Sequence, residues 1–334
     1  MWLMQTQLEP PVANQARREN ASVAKRSRAN RITRILVPID FSRVSLRAVP
    51  YALAVSRQYR ANVHLLHAVD TTQYLSRSLL SLSAPIRAEV NERLMKRLQT
   101  VASRYNADGA MRVLRPREGS PFKEICTAAQ QVGADLIVIA THGYTGYRRA
   151  FLGSTAERVV QHSHIPVLVV RRPLAHRNGA HEQRTRTEFR LRKILVPTDF
   201  SKCARVAFDY AAELARDFKA ELRLVHVINP NAYPFGDEFA ALHTARLMRE
   251  ASQASQKQMR KMASSSKLPY SVRVEHGLPA RGICEAANED VDLIVTSTHG
   301  RTSLSHVLIG STAEHIVRYA RCPVLVIPAR NHFH

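Results

Sequence analysis

The sequence predicts two tandem Rossmann-like, doubly wound α/β domains, each with a five-stranded parallel sheet. Three observations carry this reading: the length, a long internal repeat, and apolar runs that alternate with amphipathic stretches. At 334 residues the chain exceeds what one hydrophobic core organises, taking about 150 residues per domain. The segment Arg34-Ile-Leu-Val-Pro-Ile-Asp-Phe-Ser42 returns as Lys193-Ile-Leu-Val-Pro-Thr-Asp-Phe-Ser201, an offset of 159. His67 and His226 keep that offset, while Gly119 and Gly277 lie 158 apart. Thr141-His-Gly143 and Thr298-His-Gly300, Gly153-Ser154 and Gly310-Ser311, and Pro166 and Pro323 are all 157 apart. Landmarks in one order with so little drift indicate a duplicated domain.

Within the first copy the elements follow from periodicity. Ile35–Pro38 is a short apolar run, Val44–Tyr59 has helical spacing, and Val63–Val69 alternates like a strand. Pro85–Tyr105 is again helical, followed by a strand near Met111–Leu114 and a helix over Pro121–Gln131. The run Leu136–Ala140 reads as a buried strand, Thr155–His162 as a short helix, and Val167–Val170 as the last strand. The second copy repeats the series, with strands near Ile194, Leu222, Val272, Leu293 and Val324. Strands that are apolar throughout and alternate with helices belong to a parallel sheet covered on both faces. The expected boundaries are a disordered basic tail over 1–30, domains over 31–173 and 190–330, and a basic linker over 174–189.

Composition narrows the function classes. No apolar run approaches the roughly 20 residues of a membrane helix, and the four cysteines show no Cys-x-x-Cys or zinc spacing, so a soluble protein of the reducing cytoplasm is expected. The N-terminal segment lacks the apolar core of a secretion signal; an organellar transit peptide and a plain disordered tail both fit its Arg- and Ser-bearing composition. The formal net charge is +22, of which residues 1–34 supply +5 and residues 171–193 supply +6. Half of the excess therefore sits in the tail and linker, without interleaved aromatics, so any affinity for nucleic acid is expected to be non-specific. Cys126 and Cys284 occupy equivalent places on apolar helix faces and read as core.

In an open α/β sheet, ligands bind beyond the carboxyl ends of strands where the strand order reverses. The residues placed there are Asp40, Ala68 and Ala140-Thr-His-Gly143, with Asp199, Val227 and Ser297-Thr-His-Gly300 in the second copy. Asp40 and Asp199 fit two roles, a carboxylate facing adenine or ribose and the N-cap of the next helix, which Ser42 can also fill. Gly143, nine residues, then Gly153-Ser154-Thr155 recurs as Gly300, nine residues, then Gly310-Ser311-Thr312. Glycines and hydroxyls opening a helix make a phosphate cradle; Ser154-x-x-Glu157 and Ser311-x-x-Glu314 also read as capping boxes that need no ligand. His142 and His299 fit a general acid–base role or that of a loop-shaping hydrogen-bonder.

The whole series, Pro-x-Asp-Phe-Ser, strand-end His, Gly-x-Pro, Thr-His-Gly, nine residues, Gly-Ser-Thr-Ala-Glu, then Pro-Val-Leu-Val, resembles the universal stress protein family in its nucleotide-binding branch, over both copies. The resemblance implies a UspA-like stress-response protein with ATP as a regulatory ligand, accompanied by Mg²⁺, and at most a slow ATPase. It implies Pro38, Ile39, Asp40 and Ala68 around adenosine, and Ala140, His142, Gly143, Gly153, Ser154 and Thr155 around the phosphates. In the second copy these are Pro197, Thr198, Asp199 and Val227, then Ser297, His299, Gly300, Gly310, Ser311 and Thr312. Ala140 and Ser297 stand where the nucleotide-binding pattern Gly-x2-Gly-x9-Gly-Ser/Thr has its first Gly. A fold-preserving scaffold that binds no nucleotide is the alternative reading. Each copy ends in Pro-Val-Leu-Val, an edge strand by position. Val167–Val170 and Val324–Ile327 are therefore expected to pair antiparallel within one chain, leaving any homodimer to other surfaces.

Overall fold

The computed structural model describes residues 32–71, 84–105, 109–141, 152–171, 191–230, 238–288, 290–300 and 310–329. The tail over 1–30, the linker over 174–189, and the site residues His142 and Gly143 lie outside them.

The first copy runs β1 (Arg34–Pro38), a 3-10 turn, α1 (Ala48–Tyr59), β2 (Asn62–Leu66), β3 (Ala68–Asp70), α2 (Ala84–Tyr105), β4 (Met111–Val113), β5 (Arg117–Gly119), α3 (Pro121–Gln131), β6 (Leu136–Ala140), α4 (Ser154–His162) and β7 (Val167–Val170). The second runs β8 (Lys193–Pro197), α5 (Lys202–Phe218), β9 (Glu221–Ile228), α6 (Glu238–Ser264), β10 (Tyr270–His276), α7 (Pro279–Ala286), β11 (Leu293–Ser297), α8 (Ser311–Tyr319) and β12 (Val324–Ile327). All join one ten-stranded sheet in the order β10-β9-β8-β11-β12-β7-β6-β1-β2-β4, except β3 and β5, which pair separately.

Every pairing is parallel except one. β12 and β7 run antiparallel, with Leu325 opposite Leu168. Those two residues are repeat counterparts, so a pseudo-two-fold axis passes between them and the expected edge-to-edge joint is present. It spares two apolar edges from pairing between chains. Near the axis other counterparts meet: the Tyr59 and Phe218 rings lie 6.0 Å apart edge to face, and Gln58 Nε2 donates to the carbonyl of its counterpart Asp217 at 2.6 Å.

Two apolar cores cover the sheet, and each continues across the joint. One takes α1, α2, α5 and α6, through residues such as Val37, Leu98, Phe208 and Met259. The other takes α3, α4, α7 and α8, through Leu36, Ile125, Val159, Ile283 and Ile316. Successive residues of β1, Ile35 and Leu36, are fully buried on opposite faces, which is why the strands read as apolar throughout. Each such side chain contributes about 1.5–3 kcal/mol through burial.

The strand expected over Val63–Val69 is interrupted at His67. Leu114 N–H donates to the Leu65 carbonyl at 2.9 Å, and a regular parallel ladder would next join residue 116 to His67. Residue 116 is Pro and has no N–H. The chain bulges by one residue, and Arg117 N–H takes the His67 carbonyl at 3.0 Å. In the second copy no Pro intervenes, and β9 and β10 pair continuously over seven residues.

Candidate functional site

In each copy the strand order reverses between the first strand and the fourth, β1 and β6 in one and β8 and β11 in the other. The crevice beyond their carboxyl ends is where a ligand meets loop backbone rather than packed side chains. Because β7 and β12 are antiparallel, the two crevices open at opposite ends of the joint sheet.

The chain leaves β1 through Ile39, whose N–H extends the ladder to Leu66 O at 2.8 Å, and leaves β8 through Thr198, whose N–H reaches Val225 O at 2.9 Å. Asp40 Oδ1 then accepts the Ser42 N–H at 2.9 Å, and Asp199 Oδ1 accepts the Ser201 N–H at 3.0 Å. These are Asx turns. The capping role falls to the serines: Ser42 Oγ accepts Ser45 N–H at 3.0 Å, and Ser201 Oγ accepts Ala204 N–H at 3.1 Å. Neither aspartate is the helix cap.

Between Asp and Ser, Phe41 and Phe200 hold φ of 63° and 64°. A bulky residue in that left-handed region costs about 1–2 kcal/mol, and both copies offset it in the same way. Phe41 packs on His67 and Phe200 on His226, each at 4.7 Å between ring centroids. His67 Nδ1 donates to the Ile39 carbonyl at 2.8 Å and His226 Nδ1 to the Thr198 carbonyl at 2.7 Å. A carbonyl only accepts, so Nδ1 carries the proton in both rings. Burial lowers the His67 pKa, against the opposing pull of the Ile39 bond and Asp40. Strand-end His therefore buttresses the Asp turn. The first copy adds Arg97, whose guanidinium lies 4.1 Å over the Phe41 ring.

Thr141 and Thr298 are buried and continue the inner strands, donating to Val170 O and Ile327 O. Their carbonyls accept the N–H of Gly153 at 2.6 Å and of Gly310 at 2.8 Å. Those two glycine N–H groups therefore tie the helix start to the strand end. The capping boxes do not form, since Gly153 and Gly310 are the N-caps, in extended conformation and with no side-chain bond. Helix geometry leaves the next three N–H groups, Ser154, Thr155 and Ala156, without intrahelical acceptors. Ser311, Thr312 and Ala313 repeat this. Ser154 and Ser311 are exposed and Thr155 and Thr312 half-buried.

The remaining site residues divide. Ala140 is buried at the end of β6, and Ala68 opens β3. Val227 lies inside β9 with its side chain against α7, where a Cβ on Gly282 would meet it at 3.2 Å. In the second copy Ser297 Oγ donates to the His299 carbonyl at 2.7 Å, and Thr298 Oγ1 lies 2.8 Å from His299 Nδ1. His299 therefore shapes its loop. A Cβ on Gly300 would stand 2.7 Å from Asp199 Oδ2, so the Thr-His-Gly loop and the Asp turn touch and belong to one crevice. Phe41, Phe200 and Arg97 were not singled out from the sequence. The repeated Asp-Phe-Ser was the available signal for the two aromatics.

Residues 31–171 and again 190–328 match the universal stress protein family. The chain belongs to the universal stress protein family. Two relatives matched by sequence each align with about one copy. A universal stress protein of Methanocaldococcus jannaschii is 33% identical over 151 residues, covering 44% of this chain and 87% of that protein. Universal stress protein G of Escherichia coli O157:H7 is 32% identical over 142 residues, or 41% of this chain and 97% of that one. In structure, a universal stress protein from Archaeoglobus fulgidus aligns over 90% of this chain and 97% of its own length, with a TM-score of 0.64 and 23% identity. That likeness concerns the fold of the whole tandem chain. Among the described residues, no helix of this family member is long and apolar enough to cross a membrane.

Proposed function

We propose that each copy of this universal stress protein binds one adenine nucleotide, ATP with Mg²⁺, as a regulatory ligand in a stress response rather than as a substrate for turnover. The observation that carries the reading is the glycine-capped start of α4 and α8, with no side-chain cap bond among the described residues and tied by the Thr141–Gly153 and Thr298–Gly310 bonds to the switch-point strands. Three amides without intrahelical acceptors and a helix dipole favour phosphate there. Asp40 and Asp199, each held in an Asx turn through its Oδ1 atom, are the carboxylates this reading assigns to ribose or adenine. Pro38, Ile39, Ala68, Pro197, Thr198 and Val227 supply the surrounding backbone. Mg²⁺ would supply charge neutralisation to phosphates held at the starts of α4 and α8. The chain's part is to bind and orient.

The test uses the full chain. Native mass spectrometry should find co-purified adenine nucleotide, and calorimetric titration with Mg-ATP should show two sites per chain. Gly153→Val and Gly310→Val should each remove one. At φ −62° and −59° these positions accept a branched residue without backbone strain, so the loss would reflect crowding of the adjoining amides. Absence of any ATP binding would sink this reading. It would favour a scaffold of the same fold, for which the inward-turned Ser297 hydroxyl already satisfies the loop from within.

A further inference from the structure

The first turns of α4 and α8 carry Glu157 and Glu314 at equivalent positions, each with its N–H bonded to the N-cap glycine carbonyl. One cation serves both. Arg318 Nη2 lies 2.8 Å from Glu314 Oε1 in its own helix and 3.8 Å from Glu157 Oε2 across the pseudo-two-fold joint. The geometry is open to this because a helical side chain leans toward its own N-terminus, which brings Arg318 back over Glu314 while α4 passes alongside. The repeat counterpart of Arg318 is Gln161, so the joint holds one such arginine where symmetry would supply two.

The arginine is anchored from the first copy. Arg171, just past the end of β7, donates to the Arg318 backbone carbonyl, and Arg47 donates to the Arg171 carbonyl at 3.1 Å. The Arg318 backbone is thus fixed while its guanidinium is shared. Its Nε is buried and has no hydrogen-bond partner among the described residues, which leaves a donor for a second arrangement.

Resting on the nucleotide-binding reading above, we propose that Arg318 couples the two nucleotide sites with negative cooperativity. Phosphate arriving at the start of α4 adds negative charge beside Glu157. Arg318 then closes on Glu157, and Glu314 loses the cation that offsets its charge at the start of α8. Phosphate at the second site meets a more negative helix start and binds more weakly. Linkage makes the effect reciprocal. The side chains of Arg318, Glu157 and Glu314 are 25%, 27% and 35% exposed, so the coupling is screened as salt is raised.

The experiment compares Mg-ATP titrations of the full chain with those of Gly153→Val and Gly310→Val, which report each site alone. The wild-type chain should bind its second nucleotide more weakly than the isolated sites predict, on the order of fivefold. Repeating the set with Arg318→Gln, which restores symmetry with Gln161, should bring the factor to one. Gln161→Arg, which supplies the second cation, should reduce it as well. Arg318→Lys, which keeps the charge, should retain it and serves if the Gln variant fails to fold. A wild-type isotherm equal to the sum of two independent sites overturns the coupling, as does a factor unchanged by Arg318→Gln. Absence of ATP binding in the wild-type chain overturns instead the site assignment beneath it.

Discussion

Asp199 and Gly300 face each other so closely that a Cβ on residue 300 would stand 2.7 Å from the Asp199 Oδ2. Real Cβ atoms do not approach a carboxylate oxygen to that distance, so a side chain at residue 300 obliges the Asp199 carboxylate or the Thr-His-Gly loop to shift. Gly300→Ala is therefore expected to displace one from the other. The expected outcome is weaker nucleotide binding at the second site, with the first site unchanged and a loss of global stability of no more than about 1 kcal/mol. Titration of the Gly153→Val background isolates the second site; unchanged affinity there would show that the loop does not adjoin the ligand.

His67 makes acid sensitivity a local property of the first copy. Its folded pKa is lowered, chiefly by burial, so the folded state prefers the neutral ring. The associated stability is complete above the unfolded value of about 6.5 and is lost as pH falls from there through the folded pKa. His67→Asn retains a donor for the Ile39 carbonyl but cannot ionise. It should flatten the decline in urea midpoint below pH 6.5. An NMR titration showing the His67 ring protonating above pH 6.5 would contradict the burial argument.

Alkali should weaken the joint. Tyr59 Oη donates to Asp217 Oδ2 at 2.6 Å, and burial, then this bond, raises its pKa well above the ordinary tyrosine range. Burial also pushes Tyr51 and Cys322 up to about 12, and Cys126 and Cys284 up to about 11. Raised acid pKa values give stability that is complete below the unfolded values of 9.0 for Cys and 10.0 for Tyr. It is lost as pH rises through the folded ones. The urea midpoint should fall from pH 9 upward. Tyr59→Phe should reduce the slope above pH 10 and lower stability at neutral pH by about 1 kcal/mol.

The joint strand itself can be broken. Val326 pairs with Val167 on one side and with Thr296 on the other, so its N–H lies in a ladder. Val326→Pro removes that donor and should destabilise the chain by at least about 1 kcal/mol. Freed edges at β7 and β12 are then expected to pair between chains. Light scattering should detect a larger assembly than the wild type forms; an unaltered profile with unaltered stability would show that the antiparallel joint does not hold the two copies together.

Register was only partly legible. An antiparallel meeting of Val167–Val170 with Val324–Ile327 follows from two apolar edges joined in one chain. The partner of each residue does not: Val169 faces Val324 rather than its counterpart Val326, because the axis falls on Leu168 and Leu325. The site shows the same division. Asp40, Asp199 and the helix-opening Gly-Ser-Thr segments could be placed at strand ends from the repeat alone. Which N–H groups remain for a ligand could not, since Gly153 and Gly310 spend theirs on threonine carbonyls whose approach is set by sheet geometry.

By itself the sequence determined the duplication, the alternation of strands and helices, the two covered sheet faces and the edge strands. These depend on spacing along the chain and on side-chain polarity, which are local quantities. Tertiary structure alone decided the bulge at Pro116, where a missing donor matters only opposite His67, and the left-handed Phe41 and Phe200, tolerated because a histidine from the neighbouring strand supports each ring. It also decided that Arg318 faces two carboxylates 157 residues apart. Such relations depend on distances across the sheet and the pseudo-two-fold axis, and no periodicity within a single segment encodes them.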